Sequence, residues 1–191
     1  ELPIDLQIAL DREFTSLSSK KLAVLVNDLS HRYRSGSSSD GKKFLKSERD
    51  IAAYAACRLP ATYAAVYSAL IQVKDQLQNF IPQTLLDVGA GPGTAMWATA
   101  TIWPDIKSIT LLEGEKGMIA LGKDGHLFAF SRGSRGKMAK CGHYEKVADF
   151  AHDLVIASYM LGQLPESARL TVLEKLWEIT SGTLVVIEPG T

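Results

Sequence analysis

The sequence predicts an α/β protein, a doubly wound parallel sheet preceded by an all-helical N-terminal region. Three observations predict it. The run TLLDVGAGPGT, residues 84–94, is a short apolar strand that ends in an acid and then places glycine at every second position. After residue 80, strand-like runs alternate with helical ones, the signature of parallel strands joined by helical crossovers. Before residue 80 the apolar spacing is helical. The chain thus divides into a helical region, residues 1–80, and a sheet domain, residues 81–191.

In the first region, Leu22, Leu25, Val26, Leu29 and Tyr33 recur at helical spacing, and the polar run Ser35 to Gly41 breaks the pattern. Ser47 followed by Asp50 is a capping signal for a helix through Ile51, Tyr54, Ala55 and Arg58. Pro60 is expected to end or kink it, because proline lacks the amide and restrains the preceding residue. A further helical face runs from Tyr63 through Val66, Tyr67, Leu70 and Val73 toward Phe80.

In the second region, strand one is Thr84 to Val88 and a crossover helix spans Thr94 to Ile102. Strand two is Ser108 to Glu113, and Gly117 to Leu121 opens a helix. Glycines interrupt residues 122–144, and strand three is expected around Lys140 to Tyr144. Strand four is Asp153 to Ser158, followed by a turn over Leu161 to Leu164. A helix over Glu166 to Ile179 carries Leu170, Leu173, Leu176 and Trp177 as its apolar face, and strand five is Thr183 to Ile187.

Composition narrows the class. With 191 residues, 46% hydrophobic and 22% charged, the chain has the makeup of an ordinary globular protein able to bury a core. Lys and Arg balance Asp and Glu at 21 each, so no global basicity points to DNA, and no DNA partner is expected. Cys57 and Cys141 are far apart and have no CxxC partner, which excludes a disulfide framework or zinc site here and favours a reducing, cytoplasmic setting. No apolar run reaches membrane-spanning length, so no membrane partner is expected. The sequence sets no oligomeric state. Without an initiator Met and ending at Thr191, it reads as a fragment of a longer protein.

The glycine loop carries the chemistry. Glycines at alternate positions let the backbone turn sharply and approach a ligand closely, since no Cβ intrudes. A dinucleotide fingerprint needs a third glycine where Thr94 stands. The pattern present is D-x-G-x-G-x-G, from Asp87 to Gly93. Ligands of doubly wound sheets bind at the carboxyl ends of the strands, where Asp87, Gly89 and Gly91 fall. Glu113 ends strand two about 20 residues past the loop, the place from which a carboxylate accepts both ribose hydroxyl hydrogens. A glycine turn that merely packs a helix against the sheet is the plainer alternative. It leaves the pairing with Asp87 and Glu113 unexplained.

The D-x-G-x-G-x-G pattern resembles the first motif of class I S-adenosylmethionine-dependent methyltransferases. The resemblance implies a Rossmann-like class I methyltransferase sheet with S-adenosylmethionine as cofactor. It implies Asp87 near the methionine end and Met118 and Ile119 near the adenine. The implied cofactor set is Asp87, Gly89, Ala90, Gly91, Gly93, Glu113, Met118 and Ser158. A methyl on a sulfonium is already activated, so positioning an acceptor supplies much of the acceleration. The acceptor is read after strand four, in Ala157 to Leu164, where Tyr159 and Gln163 are candidate contacts. That segment lacks the Asn/Asp-Pro-Pro-aromatic pattern of exocyclic amino methylation. Neither cysteine has the context of a C5 nucleophile. No catalytic residue is assigned.

Further blocks narrow the resemblance: Ala53-Tyr54 with Arg58-Leu59-Pro60-Ala61-Thr62-Tyr63, Met118 to Gly122, Asp153 to Tyr159 with Leu161-Gly162, and Val186 to Thr191. Together with the loop they look like the methyltransferase-like family associated with the mitochondrial small ribosomal subunit and its bacterial relatives. The family implies S-adenosylmethionine binding and a role in small-subunit biogenesis or translation, with the small subunit or its rRNA as partner. A non-catalytic assembly factor using the fold as a binding module, or a small-molecule methyltransferase, are the alternatives. Family members also carry a cysteine-rich iron-sulfur stretch after strand five, expected only beyond this chain; no metal ligand is assigned within it. The hairpin that completes a class I sheet is likewise expected outside these residues, leaving the sheet C-terminally incomplete with an open edge at strand five.

Other residues carry less. Arg132, Arg135, Lys137 and Lys140 in a glycine-broken loop, and Arg32, Arg34, Lys42, Lys43 and Lys46 around the serine run, are candidate RNA phosphate contacts or simply solvated loops. Arg58 either faces the acceptor side of the cleft or satisfies carbonyls at a helix end. His126, His143 and His152 lack ligand spacing and read as structural.

Overall fold

The computed structural model describes residues 1–15, 18–34, 47–124, 135–140 and 151–189. Three helices come first: α1 (Ile4–Phe14), α2 (Ser19–Arg34) and α3 (Glu48–Gln76). The sheet region follows as β1 (Thr84–Val88), α4 (Thr94–Ile102), β2 (Ser108–Glu113), α5 (Lys116–Asp124), β3 (Arg135–Lys140), β4 (His152–Ser158), a 3-10 turn over Leu161–Gln163, α6 (Glu166–Glu178) and β5 (Thr180–Ile187). The five strands lie in the order β3-β2-β1-β4-β5, and all four neighbouring pairs are parallel. Chain order reverses beside β1, which puts the crevice of a doubly wound sheet between the ends of β1 and β4.

The central strands are covered on both faces, as near-continuous apolar runs require. Leu85, Ile109, Leu154 and Ile156 pack with α3, α4 and α5 on one side. Leu86, Val88, Val155 and Ala157 pack with Val172 and Leu176 of α6 on the other. The first cluster also holds Leu6 and Leu10 of α1 and Leu59, Tyr63, Val66 and Leu70 of α3, so apolar packing is continuous across residue 80. At the start of the sheet, Asp153 Oδ2 accepts the amides of Gln83 and Thr84 at 2.7 and 3.0 Å, and the Asp153 amide donates to Thr84 Oγ1 at 2.8 Å. This clasp ties the entry of β1 to β4.

Four expectations are corrected. Pro60 neither ends nor divides its helix; α3 runs through it for 29 residues, capped by Ser47, whose hydroxyl accepts the Asp50 amide. A mid-helix proline costs about 3 kcal/mol. Each large apolar side chain buried nearby contributes about 1.5–3 kcal/mol, and Leu59, Tyr63, Val66 and Leu70 are all buried, so packing wins. Strand three begins earlier than expected: β3 is Arg135–Lys140, paired from Ser108↔Arg135 to Glu113↔Lys140. Its sequence RGKMAK has no apolar alternation, and an edge strand needs only one backbone ladder. Residues 141–144 lie outside the described residues. Arg135, Lys137 and Lys140 therefore belong to a strand, while Arg132, His126, His143, Lys42, Lys43 and Lys46 also lie outside the described residues; Arg32 and Arg34 end α2.

The third correction concerns α6: Leu176 is buried and Leu173 packs against the same cluster as expected, but Val172 turns inward while Leu170 and Trp177 stand 66% and 70% exposed. Several apolar residues on one helix leave more than one stripe available, and contact with the sheet selects between them. The fourth is β5, which starts three residues early at Thr180, past a register irregularity between His152 and Leu154. Gly182 allows it, because a Cβ there would strike the Asp153 carbonyl and approach Phe80 Cε2 to 2.7 Å.

Candidate functional site

The segment after β1 is built by three glycines with positive φ: Gly89 at 71°, Gly91 at 53° and Gly93 at 86°. L side chains rarely adopt these angles, so the alternation seen in the sequence is a steric requirement. The amides of Gly89 and Ala90 both donate to the Leu112 carbonyl, at 2.9 and 3.0 Å, seating the loop on the end of β2. Gly93 caps α4, and its own amide closes the turn onto the Ala90 carbonyl at 2.8 Å. A Cβ on Gly91 would meet nothing within 4 Å, so the loop has open space on that side.

Glu113 fastens the apex of this loop. Its Oε2 accepts the Gly91 amide at 2.7 Å, and its Oε1 accepts the Glu115 amide at 2.7 Å. Each carboxylate oxygen has a second lone pair, so two hydroxyl hydrogens can still be accepted.

Asp87 lies beneath the loop, fully buried, with no hydrogen-bond partner on either carboxylate oxygen. Burial pushes its pKa up to about 7, the negative charge of Glu113 adds to the rise, and the Met96 amide opposes it. Met96 is in the first turn of α4. From the helix N-terminus that amide favours the charged form of the carboxylate.

The other wall comes from the end of β4. Tyr159 has φ 56°, the one described non-glycine residue in the left-handed region, a conformation that costs about 1–3 kcal/mol. Three bonds hold this turn: the Tyr159 amide donates to the Ile187 carbonyl at 2.7 Å, Gln163 Nε2 donates to the Tyr159 carbonyl at 2.6 Å, and Glu188 Oε1 accepts the Leu161 amide at 2.8 Å. The turn packs Met160 over the glycine loop, where a Cβ on Gly89 would come within 2.7 Å of Met160 Cβ. α3 reaches the same end of the sheet, since Ile51 fills the space in which a Gly117 Cβ would stand.

The structure therefore brings Asp87, Gly89, Ala90, Gly91, Gly93 and Glu113 into one bonded and packed unit. Ser158 is half-buried at the end of β4, Tyr159 half-buried beyond it, and Gln163 exposed with its amide on Tyr159. Met118 is buried in the shared core on α5, Ile119 half-buried beside it, and Arg58 exposed on α3. Sequence reasoning missed Met160 and the bracing role of Glu188. The rule that ligands sit at strand carboxyl ends would have found Glu188, which follows β5 as Glu113 ends β2. Among the described residues, no group of three His, Cys, Asp or Glu side chains is gathered as a metal site needs, and no helix is long and apolar enough to cross a membrane.

Comparison with known proteins adds the family context. A family model described as "Mitochondrial small ribosomal subunit Rsm22" matches residues 48–191. The human protein named "Ribosome assembly protein METTL17, mitochondrial" is 30% identical over 146 residues, covering 72% of this chain and 31% of that protein. The chain thus spans about a third of the length of that relative. Among solved structures, an O-methyltransferase family protein from Burkholderia thailandensis superposes with a TM-score of 0.62 at 15% identity, over 92% of this chain and 56% of the other. A complex titled "DhpI-SAM-HEP complex" gives 0.56 at 17% identity, over 74% and 61%. These likenesses show the fold, a class I methyltransferase sheet.

Proposed function

The chain belongs to the family described as mitochondrial small ribosomal subunit Rsm22, and from that premise we propose that it binds S-adenosylmethionine and acts on the small ribosomal subunit or its rRNA during ribosome biogenesis. The observation that carries the cofactor half is the loop at Gly91, open on one side and tied to Glu113 on the other. An orphaned buried carboxylate beneath the loop supports the same fit. Bound there, the cofactor would supply a methyl group already activated on a sulfonium.

The chain's own residues would do the rest. Glu113 would accept the ribose hydroxyls while keeping the loop amide. Gly89, Ala90, Gly91 and Gly93 would present backbone to the nucleoside and methionine parts, with Asp87 below the methionine end. Met118 and Ser158 complete the proposed set, and Tyr159, Gln163 and Arg58 are the proposed acceptor side. The left-handed Tyr159 supports that assignment, since strain of this kind collects where a chain is held for function. Residues 81–191 are proposed as the cofactor domain and residues 1–80 as its helical cover. An iron-sulfur cluster, if the family's pattern holds, is proposed only for residues beyond Thr191. Cys57 is free and supports a reducing compartment, proposed as cytoplasmic; Cys141 lies outside the described residues. The human relative's name assigns that protein to the mitochondrion.

One observation favours a second reading. That relative is named a ribosome assembly protein, and on this reading the fold would serve as a binding module in small-subunit assembly, without methyl transfer. Calorimetry tests the shared premise: wild type is expected to bind S-adenosylmethionine, and Gly91→Arg, whose side chain would enter the open space at a strained φ, to lose it. Unchanged binding in that variant, with circular dichroism showing it folded, would remove the site. Labelled methyl transfer to small-subunit particles separates the readings, incorporation favouring the enzyme and its absence the assembly factor.

A further inference from the structure

We propose that Glu188 is a positioning residue of the cofactor site: from the end of β5 it sets the turn that presses Met160 onto the glycine loop, and so tightens cofactor binding through Met160. The inference rests on the S-adenosylmethionine reading and adds to it a residue outside the loop and outside the proposed cofactor set.

The glycine loop is held from two sides by different means. On the β2 side it is hydrogen-bonded, the Gly89 and Ala90 amides to the Leu112 carbonyl and the Gly91 amide to Glu113. On the β4 side the contact is packing. Met160 is 3% exposed and stands so close that a Cβ on Gly89 would come within 2.7 Å of its Cβ and 3.2 Å of its Cγ. Packed interiors yield little at such range, so where Met160 sits decides where the loop can sit. Its Cβ moves only with the backbone, and that backbone follows directly from Tyr159. Tyr159 has φ 56°, which an L residue leaves unless bonds hold it there.

Two side chains hold this turn. Gln163 Nε2 bonds the Tyr159 carbonyl but is exposed, so water competes for that bond. Glu188 is half-buried, and its Oε1 accepts the Leu161 amide at 2.8 Å in a charge-assisted bond, the stronger kind. Its second oxygen lies over the same turn, where a Cβ on Gly162 would stand 3.2 Å from Oε2. Glycine at 162 therefore lets the carboxylate lie close against the backbone. Leu161, whose amide is gripped, is buried in one apolar cluster with Met160, Val88 and Leu112. Leu112 is the residue whose carbonyl seats the loop. The grip of Glu188 is thus one residue from Met160, and Met160 lies against Gly89. Glu188 does from β5, through packing, what Glu113 does from β2 by a direct bond.

The test separates the bond from the charge, and the path through Met160 from the fold at large. S-adenosylmethionine affinity is measured by calorimetry on wild type, Glu188→Ala, Glu188→Gln, Met160→Gly and the double variant of Glu188→Ala with Met160→Gly. Glu188→Ala is expected to weaken binding by about tenfold, the scale of one charge-assisted hydrogen bond. Glu188→Gln keeps an oxygen that accepts the Leu161 amide and should stay within about threefold of wild type. Met160→Gly cuts the path, so adding Glu188→Ala to it should change affinity by less than about twofold. A merely structural Glu188 would lower stability in both backgrounds and leave the affinity of the folded protein alone. Wild-type affinity in Glu188→Ala, an equal loss in Glu188→Gln, or a loss undiminished beside Met160→Gly each overturns the inference and leaves the cofactor reading standing. Failure of wild type to bind overturns both. Should Met160→Gly fail to fold or to bind, methyl NMR of Met160 decides: its resonance must move in Glu188→Ala and return in Glu188→Gln. An unmoved resonance overturns the inference.

Discussion

The Gly91 amide donates to Glu113 Oε2 at 2.7 Å, so the apex of the glycine loop is held by the side chain that also stands where a ribose would be read. One residue thus shapes the loop and, on the proposed reading, would also accept the ribose. A lost charge-assisted hydrogen bond of this kind costs about 1.5–3 kcal/mol. Glu113→Ala is expected to weaken S-adenosylmethionine binding by roughly 10- to 100-fold and to speed hydrogen exchange at Gly91. A variant with wild-type affinity by calorimetry would take Glu113 out of the site.

Gly89 is expected to tolerate no side chain while Met160 is present. Gly89→Ala puts a Cβ within 2.7 Å of Met160 Cβ at φ 71°, and the overpacking and the positive φ together should cost about 2–4 kcal/mol. Met160→Gly, which removes the Cβ itself, relieves the clash but not the backbone strain, so the double variant should lose less than the two single losses summed. Urea unfolding of the four proteins checks this, and additive losses would mean that the two residues do not press on each other.

Asp87 makes stability depend on pH in a defined direction. Its folded pKa of about 7 lies above the ordinary 3.8, so the folded state holds this proton more tightly. The group's contribution is complete below about pH 4 and is lost as the pH rises toward 7. Asp87→Asn has no such loss, so its stability relative to wild type should improve by a few kcal/mol between about pH 4 and 8. Unfolding at several pH values reads the difference, and a constant gap would refute the assignment.

Asp153 is expected to matter for folding rather than for ligands. Its carboxylate accepts two backbone amides at the entry of β1, and Asp153→Ala leaves both without that acceptor. A loss of about 2–4 kcal/mol follows, seen as a drop in Tm of roughly 5–15 °C for a chain of this size. Cofactor affinity at the opposite end of the strands should stay within about threefold, by the near-additivity of distant sites. A large loss of affinity in folded protein would contradict that separation.

Sequence alone determined what depends on local backbone chemistry. Apolar runs and turn signals gave β1, α4, β2 and most of β4, and the spacing of Gly89, Gly91 and Gly93 announced three left-handed residues before any coordinates did, because only glycine takes those angles cheaply. Glu113 was legible from its place at the end of strand two, about 20 residues past the loop. Tertiary structure decided whatever depends on which surface covers which. It carried α3 through Pro60, turned Val172 of α6 inward beside Leu176 while leaving Leu170 and Trp177 exposed, and set the start of β3 by its ladder to β2. It also buried Asp87 without a partner and held Tyr159 left-handed between Ile187 and Gln163. Desolvation and packing are sums over neighbours distant in the chain, so no local pattern records them, and the charge state of the residue beneath the loop is such a sum.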